Sequence, residues 1–132
     1  MNVPLSSNME DYLEAIYVLE QEKGHARVKQ IADALNITKP SVTAALKKLE
    51  QANLVDHPKY DLVGLTPEGS LIAQKVYRRH RVITQFLHDI LKVSEETAEQ
   101  DACKIEHNVS SETMERIIQF MESENASNGG HG

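Results

Sequence analysis

The sequence predicts a mainly α-helical protein built in two parts, and three observations carry that expectation. Between Arg27 and about Ala52, apolar residues recur at helical spacing in two runs, broken by a tight polar turn at Asn36-Ile37-Thr38. Two short β-prone runs come next, Leu54-Val55-Asp56-His57 and Leu62-Val63-Gly64-Leu65, separated by the turn-forming Pro58-Lys59-Tyr60-Asp61. From Pro67 onward the periodicity is helical, interrupted where Ser94 and Ser110 or Ser111 can cap new helices. A helix-turn-helix that runs into a small basic hairpin is a winged helix-turn-helix. The expected organisation is an N-terminal winged helix-turn-helix domain over residues 1–66 followed by an α-helical domain over 67–122. The Ser, Asn and Gly-rich tail over 123–132 is expected to be disordered.

Bulk properties narrow the classes. The chain has 132 residues, 40% hydrophobic and 26% charged, enough for one domain or two small helical ones. No apolar run reaches membrane-spanning length, and Met1-Asn2-Val3-Pro4-Leu5 lacks the basic and apolar regions of a signal peptide, so no membrane partner is expected. A single cysteine cannot form an internal disulfide, which makes a reducing, cytoplasmic setting the expectation. The net charge of −6 argues against nucleic acid until its distribution is followed. Residues 23–60 carry seven bases against three acids, whereas residues 1–22 carry five acids and no base and residues 92–132 carry nine acids against three bases. The basic segment is the electrostatic footprint of a phosphate-binding surface. The acidic ends suit cations, or serve only solubility.

After a disordered arm over residues 1–6, Ser7-Asn8-Met9-Glu10 is a capping box for a helix that runs to about Lys23 and stops at Gly24. Its apolar side is Leu13, Ile16, Tyr17 and Leu19. In the helix-turn-helix, Val28, Ile31, Ala32 and Leu35 form the first buried stripe. Thr38 caps the second helix, Pro40 is tolerated in its first turn, and Val42, Ala45, Leu46 and Leu49 face inward. The opposite face carries Lys39, Ser41, Thr43, Ala44, Lys47 and Lys48. Small residues let a helix approach base edges in the major groove while lysines anchor to phosphate. The candidate DNA-binding residues are Arg27, Lys29, Thr38, Lys39, Pro40, Ser41, Thr43, Lys47 and, on the hairpin, Lys59. An αα-hairpin with a solvated basic face is the competing reading.

Thr66 and Pro67 open a long helix to about Leu91. Leu71, Ile72 and Val76 are expected to pack on the winged helix, and Val82, Ile83, Phe86, Leu87 and Ile90 on the later helices. A last helix carries Met114, Ile117, Ile118 and Met121. The apolar surface over 67–122 exceeds what one small domain needs, and a symmetric dimer is the usual way to bury the surplus.

In the helix between those two, Cys103, Glu106 and His107 fall at i, i+3 and i+4, so a thiol, a carboxylate and an imidazole share one face, which Glu99 extends. Sulfur, oxygen and nitrogen donors on one face suit a transition metal. The competing reading is a solvated polar face with Cys103 as a small core residue. Asp11 and Glu14, at i and i+3 of the first helix, also point one way, and near a helix N-terminus they are equally explained by the macrodipole.

Four separated pieces, namely Met9-Glu10-Asp11-Tyr12-Leu13-Glu14-Ala15-Ile16-Tyr17, the winged helix, Arg79-His80-Arg81 and Asp101-Ala102-Cys103-Lys104-Ile105-Glu106-His107, together resemble the diphtheria toxin repressor family. Its members are metal-activated transcriptional repressors, divided into an iron branch and a manganese transport regulator branch. The resemblance covers about Ser7 to Met121 and implies the short two-domain form, without the SH3-like third domain of the iron branch. Carried over position by position, it implies metal ligands at Asp11, Glu14, His80, Glu106 and His107, as in the manganese branch. Cys103 instead matches the iron branch, and two further iron-branch ligand positions hold Thr84, a poor ligand, and Glu99, a good one. The implied site is a hybrid of soft and hard donors, and the implied cofactor is Mn2+ or Fe2+, with Co2+, Ni2+ or Zn2+ able to substitute in vitro. The implied partners are an inverted-repeat operator in double-stranded DNA and a second copy of the chain, with no small organic substrate.

Two other classes compete. A metal-independent winged-helix regulator of the multiple-antibiotic-resistance type would leave the acids merely solvated. A small metallohydrolase would need an open coordination position, yet the sequence has no Gly-rich phosphate loop, no HExxH and no nucleophile–base pair at telling spacing.

Overall fold

A computed structural model describes residues 7–56 and 59–129. Residues 1–6, 130–132 and the pair 57–58 lie outside the described residues, and with them the expected N-terminal arm and part of the hairpin turn. The elements run α1 (Ser7–Lys23), β1 (Ala26–Arg27), α2 (Val28–Leu35), α3 (Lys39–Gln51), β2 (Leu62–Val63), α4 (Pro67–Gln85), a wider π-type turn (Phe86–Ile90), α5 (Glu95–Glu106) and α6 (Ser111–Gly129). Packing divides the chain after Val76, inside α4. The sequence places that boundary at the start of α4; the difference arises because Ile72 and Ala73 pack into the first core.

The first unit is a winged helix-turn-helix. Leu13 and Ile16 of α1, Ile31 of α2 and Val42 and Leu49 of α3 are sealed from solvent in one apolar cluster. Gly24, at φ +79°, turns the chain out of α1 in the left-handed conformation that glycine reaches without strain. Asn36, at φ 55°, does the same for α2 and passes its backbone N–H to Asp33 O. Thr38 then caps α3: its Oγ1 accepts from Ser41 N at 3.3 Å and donates to Ser41 Oγ at 2.9 Å.

The wing differs from the expected two-strand hairpin. Leu62–Val63 pairs antiparallel with Ala26–Arg27, a strand that sequence periodicity did not mark, in the register Ala26↔Val63 and Arg27↔Leu62. Among the described residues, the expected first wing strand meets the second run at one bridge, Val55↔Leu65, flanked by hydrogen bonds from Asp56 N to Gly64 O at 2.8 Å and from Thr66 N to Leu54 O at 3.1 Å. Leu54 and Val55 are buried, so this stretch serves as core lining more than as sheet edge. Thr66 locks the exit from the wing by donating to Asn53 O at 2.8 Å and accepting from Gly69 N at 3.0 Å. Gly69 is required there, because a Cβ would lie 1.9 Å from the Leu54 carbonyl oxygen. Leu71, expected in the core, is 62% exposed.

The second unit has a smaller core. Ile83 and Leu87 pack with Ala98, Ala102 and Met114, and Phe86 meets Phe120 edge-to-face at 6.0 Å. Ser94 and Ser110 cap α5 and α6, accepting from Thr97 N at 3.4 Å and Thr113 N at 3.1 Å. Helix α6 continues to Gly129, so residues 123–129, expected to be a disordered tail, are helical. Once a helix is nucleated by a cap and anchored by Met114 and Met121, each further residue adds a hydrogen bond, and composition alone does not stop it before glycine. No described helix is long and apolar enough to cross a membrane.

Candidate metal centre and nucleic-acid face

The buried face of α5 runs through Ala98, Ala102 and Glu106, at i, i+4 and i+8. The two alanines join Ile83 and Leu87 in the second core, and the same stripe then carries a carboxylate into the place of a core side chain. The Glu106 side chain is completely enclosed. Its Oε1 lies 3.4 Å from His107 Nε2, just past the end of α5, and 4.0 Å from His80 Nδ1 on α4. His80 precedes the buried Ile83 by one turn, so the packing that builds the core also delivers the imidazole.

Cys103 completes the group: its Sγ, a Glu106 carboxylate oxygen and a His107 ring nitrogen lie within 4.8 Å of one another. Donors that share one ion at about 2.0–2.3 Å are at most about 4.6 Å apart, so a small closing of this group would let it share a cation. A thiol, a carboxylate and an imidazole are chemically apt for a divalent transition metal, and the same carboxylate also faces His80. Burial of a carboxylate is expensive unless positive charge compensates it, and a bound cation would supply that charge.

Glu99 is exposed, in a pocket it shares with His80, Thr84, His88 and Glu95. Thr84 donates its hydroxyl to His80 O at 2.8 Å, a back-bond within the helix. His88 Nδ1 donates to the Val93 carbonyl at 2.9 Å. Sequence reasoning passed over His88 and Glu95, although His80, Thr84 and His88 repeat at i, i+4 and i+8 and Glu95 and Glu99 at i, i+4. In the first unit, Asp11 and Glu14 are half-buried on α1, three residues apart and on one side of it.

The nucleic-acid candidates lie in that first unit. Lys39, Pro40, Ser41, Thr43 and Lys47 of α3 are all exposed, and Val42, Ala45, Leu46 and Leu49 take the inward face. Arg27, Lys29 and Thr38 are exposed around the first turns of α2 and α3, and Lys59 is exposed on the wing. The Thr38 hydroxyl is engaged in the cap, so its contribution is to hold the leading end of α3.

Comparison with known proteins meets this geometry at both ends of the chain. The model of the iron dependent repressor N-terminal DNA binding domain matches residues 4–63, and that of the iron dependent repressor metal binding and dimerisation domain matches residues 66–130. The chain belongs to the iron-dependent repressor family. It is 43% identical over 110 residues to the HTH-type transcriptional regulator MntR of Geobacillus kaustophilus, covering 83% of this chain and 77% of that one. Among solved structures it is similar to the manganese regulator SloR, with a TM-score of 0.76 and 34% identity over 89% of this chain and 55% of the other. It is also similar to IdeR of T. acidophilum, with a TM-score of 0.77 and 26% identity over 92% and 56%. The chain thus spans a little over half the length of those solved chains. Its helical architecture, a DNA-binding domain followed by a dimerisation domain, is that of metal-dependent transcriptional repressors, and it is a transcriptional regulator rather than an enzyme.

Proposed function

We propose that this repressor binds an inverted-repeat operator as a homodimer when loaded with Mn2+ or Fe2+, and so controls genes of metal uptake and homeostasis in the cytoplasm. The observation that carries this reading is the enclosed Glu106 carboxylate, with His107 and His80 at 3.4 and 4.0 Å and Cys103 beside it. His80, Cys103, Glu106 and His107 are the proposed ligands of the second unit, and Asp11 and Glu14 those supplied by α1. Glu99, with His80, is the proposed holder of a second ion. The bound cation supplies positive charge to carboxylates that otherwise repel one another.

Coupling follows from which elements carry the ligands. Asp11 and Glu14 belong to the unit that contains α3, so an ion drawing on both units links metal occupancy to the placement of the recognition helix. A dimer reads two half-sites only at the right spacing. Moving the competent fraction from about 1% to about 99% requires the metal to favour that state by about 5.5 kcal/mol, within reach of several metal–ligand bonds. The exposed apolar residues Leu91, Ile90 and Phe120 of the second unit support the homodimer. Relatives named for manganese support Mn2+, and the thiol of Cys103 supports Fe2+.

The test uses a labelled duplex selected by the protein from a random-sequence pool, titrated anaerobically with Mn2+ and, separately, Fe2+. Retention that requires one of the two ions is expected. Equal retention in excess chelator would contradict the reading.

A further inference from the structure

The wing ends in a turn that ordinary sequence preferences do not favour. Tyr60 and Asp61 occupy its two central positions at φ 54° and 67°. Lys59 and Leu62 close it with reciprocal hydrogen bonds, Lys59 N to Leu62 O at 3.3 Å and Leu62 N to Lys59 O at 2.9 Å. That is a type I′ turn, which is built most readily from Asn-Gly or Asp-Gly. A tyrosine in the left-handed region is strained, because its Cβ crowds the backbone. The strain is held in place from below. Arg27 donates through Nη1 to the Tyr60 carbonyl at 3.4 Å, and Val28 N donates to the Asp61 carbonyl at 3.0 Å. The result is a tyrosine 92% exposed at the tip of the wing, the most exposed large hydrophobic residue among the described residues.

Nothing in the first unit's core accounts for this placement, since the ring packs on little. Residues held in sparsely populated backbone regions persist where the surroundings over-determine them, and they gather at functional sites. The surroundings here are basic: Arg27, Lys29 and Lys59 are exposed near the same turn, and α3 presents Lys39 and Lys47. Asp61 offsets the charge of Lys59, so the tip itself offers a phenol rather than a net positive charge.

We infer that Tyr60 is a DNA-backbone contact, its hydroxyl donating to a phosphate oxygen and its ring lying against deoxyribose beside the surface read by α3. This rests on the proposed DNA-binding role of the first unit. A neutral donor to phosphate has a signature that separates it from the lysines. It strengthens binding without displacing a counterion, whereas each lysine on a phosphate adds close to one to the salt slope.

The experiment measures binding of the metal-loaded, full-length protein to the selected duplex across a salt series, for the unaltered protein, Tyr60→Ala, Tyr60→Phe, Tyr60→Asn and Lys59→Ala. Tyr60→Ala is expected to weaken binding about tenfold with the salt slope unchanged, and Tyr60→Phe by a smaller factor. Lys59→Ala is expected to reduce the slope by about 0.9. Asparagine tolerates the left-handed turn, so Tyr60→Asn is expected to melt at a higher temperature while binding DNA as weakly as Tyr60→Ala. That pairing removes misfolding as the explanation. Unchanged affinity in Tyr60→Ala would overturn the inference. So would a loss confined to particular base pairs beside the site, which would make Tyr60 a base reader. If the unaltered protein selects no duplex with either metal, it is the DNA-binding reading itself that fails.

Discussion

The two units of this chain solve the same packing problem with different materials. In the first, Leu13, Ile16, Ile31, Val42 and Leu49 form a core of apolar side chains alone, large enough to hold three short helices and a wing. In the second, Ile83, Leu87, Ala98, Ala102 and Met114 form a smaller core, and the stripe that builds it ends in an enclosed carboxylate facing two imidazoles. The second unit also leaves Leu91 at 55% and Phe120 at 43% exposed. One unit closes by hydrophobic burial, while the other, on the proposed reading, is completed by a cation and by a second copy of the chain. On that reading, the cation that completes the second unit sets the output of the first.

The strongest way to break the comparison lies in the first unit. Gly69→Ala would drive a Cβ to 1.9 Å from the Leu54 carbonyl oxygen, against backbone that cannot yield cheaply. A loss of about 3 kcal/mol is expected, read by urea denaturation, and it should be the same with and without metal. The second unit should behave in the opposite way. Mn2+ at about 100 times its dissociation constant adds about 2.7 kcal/mol to whatever unit binds it. Amide exchange of the ligand-bearing α5 and α1 should slow accordingly, and more than that of α2 and α3, which carry no proposed ligand. Equal slowing everywhere would mean that the two units are stabilised as one.

A finer test concerns Cys103. With thiolate ligation, cobalt(II) should give a near-ultraviolet charge-transfer band that vanishes in Cys103→Ser, together with a tenfold or greater loss of cobalt affinity. Cys103→Glu exchanges a soft donor for a hard one and should move activation toward manganese. An unaltered metal response in Cys103→Ser would place the thiol outside the site.

The smallest effect belongs to the first unit's own misplaced carboxylate. Burial, with the nearby Asp56 charge, holds Glu20 above its ordinary value of 4.5. A group whose folded-state value is raised favours folding while protonated. Its contribution is fully present below pH 4.5 and is lost as pH rises through the folded value. Glu20→Gln should therefore melt slightly higher than the unaltered protein at pH 7 and alike at pH 4, in contrast to Glu106, whose replacement should matter most when metal is present.

How much the sequence disclosed depends on how each signal is written. The inward set of α3 could be read residue by residue because one continuous stripe carries it, and the caps at Thr38, Thr66, Ser94 and Ser110 sit where their local chemistry puts them. Strand β1 escaped because two residues, Ala26 and Arg27, have no period to show; only their pairing with Leu62–Val63 makes them a strand. The helical continuation over 123–129 was hidden by a composition typical of loops. At the candidate site, the i, i+3, i+4 spacing brought Cys103, Glu106 and His107 to notice, but their depth could not be read, because enclosure of Glu106 depends on packing between elements that spacing within one helix does not show. Nor could Tyr60 be singled out, since a strained turn leaves no mark in sequence beyond the absence of the usual glycine.

The central claim is that the enclosed Glu106 carboxylate is the common ligand through which metal controls DNA binding. Glu106→Gln keeps the shape of that side chain and removes its charge, so the direct measurement is the anaerobic Mn2+ and Fe2+ dependence of duplex binding by this variant beside the unaltered protein, with circular dichroism to verify the fold. The account predicts that the folded variant needs at least about 100-fold more of either metal to hold DNA, or fails to hold it at any concentration. A folded Glu106→Gln protein that binds the duplex at the same metal concentration as the unaltered chain would contradict it.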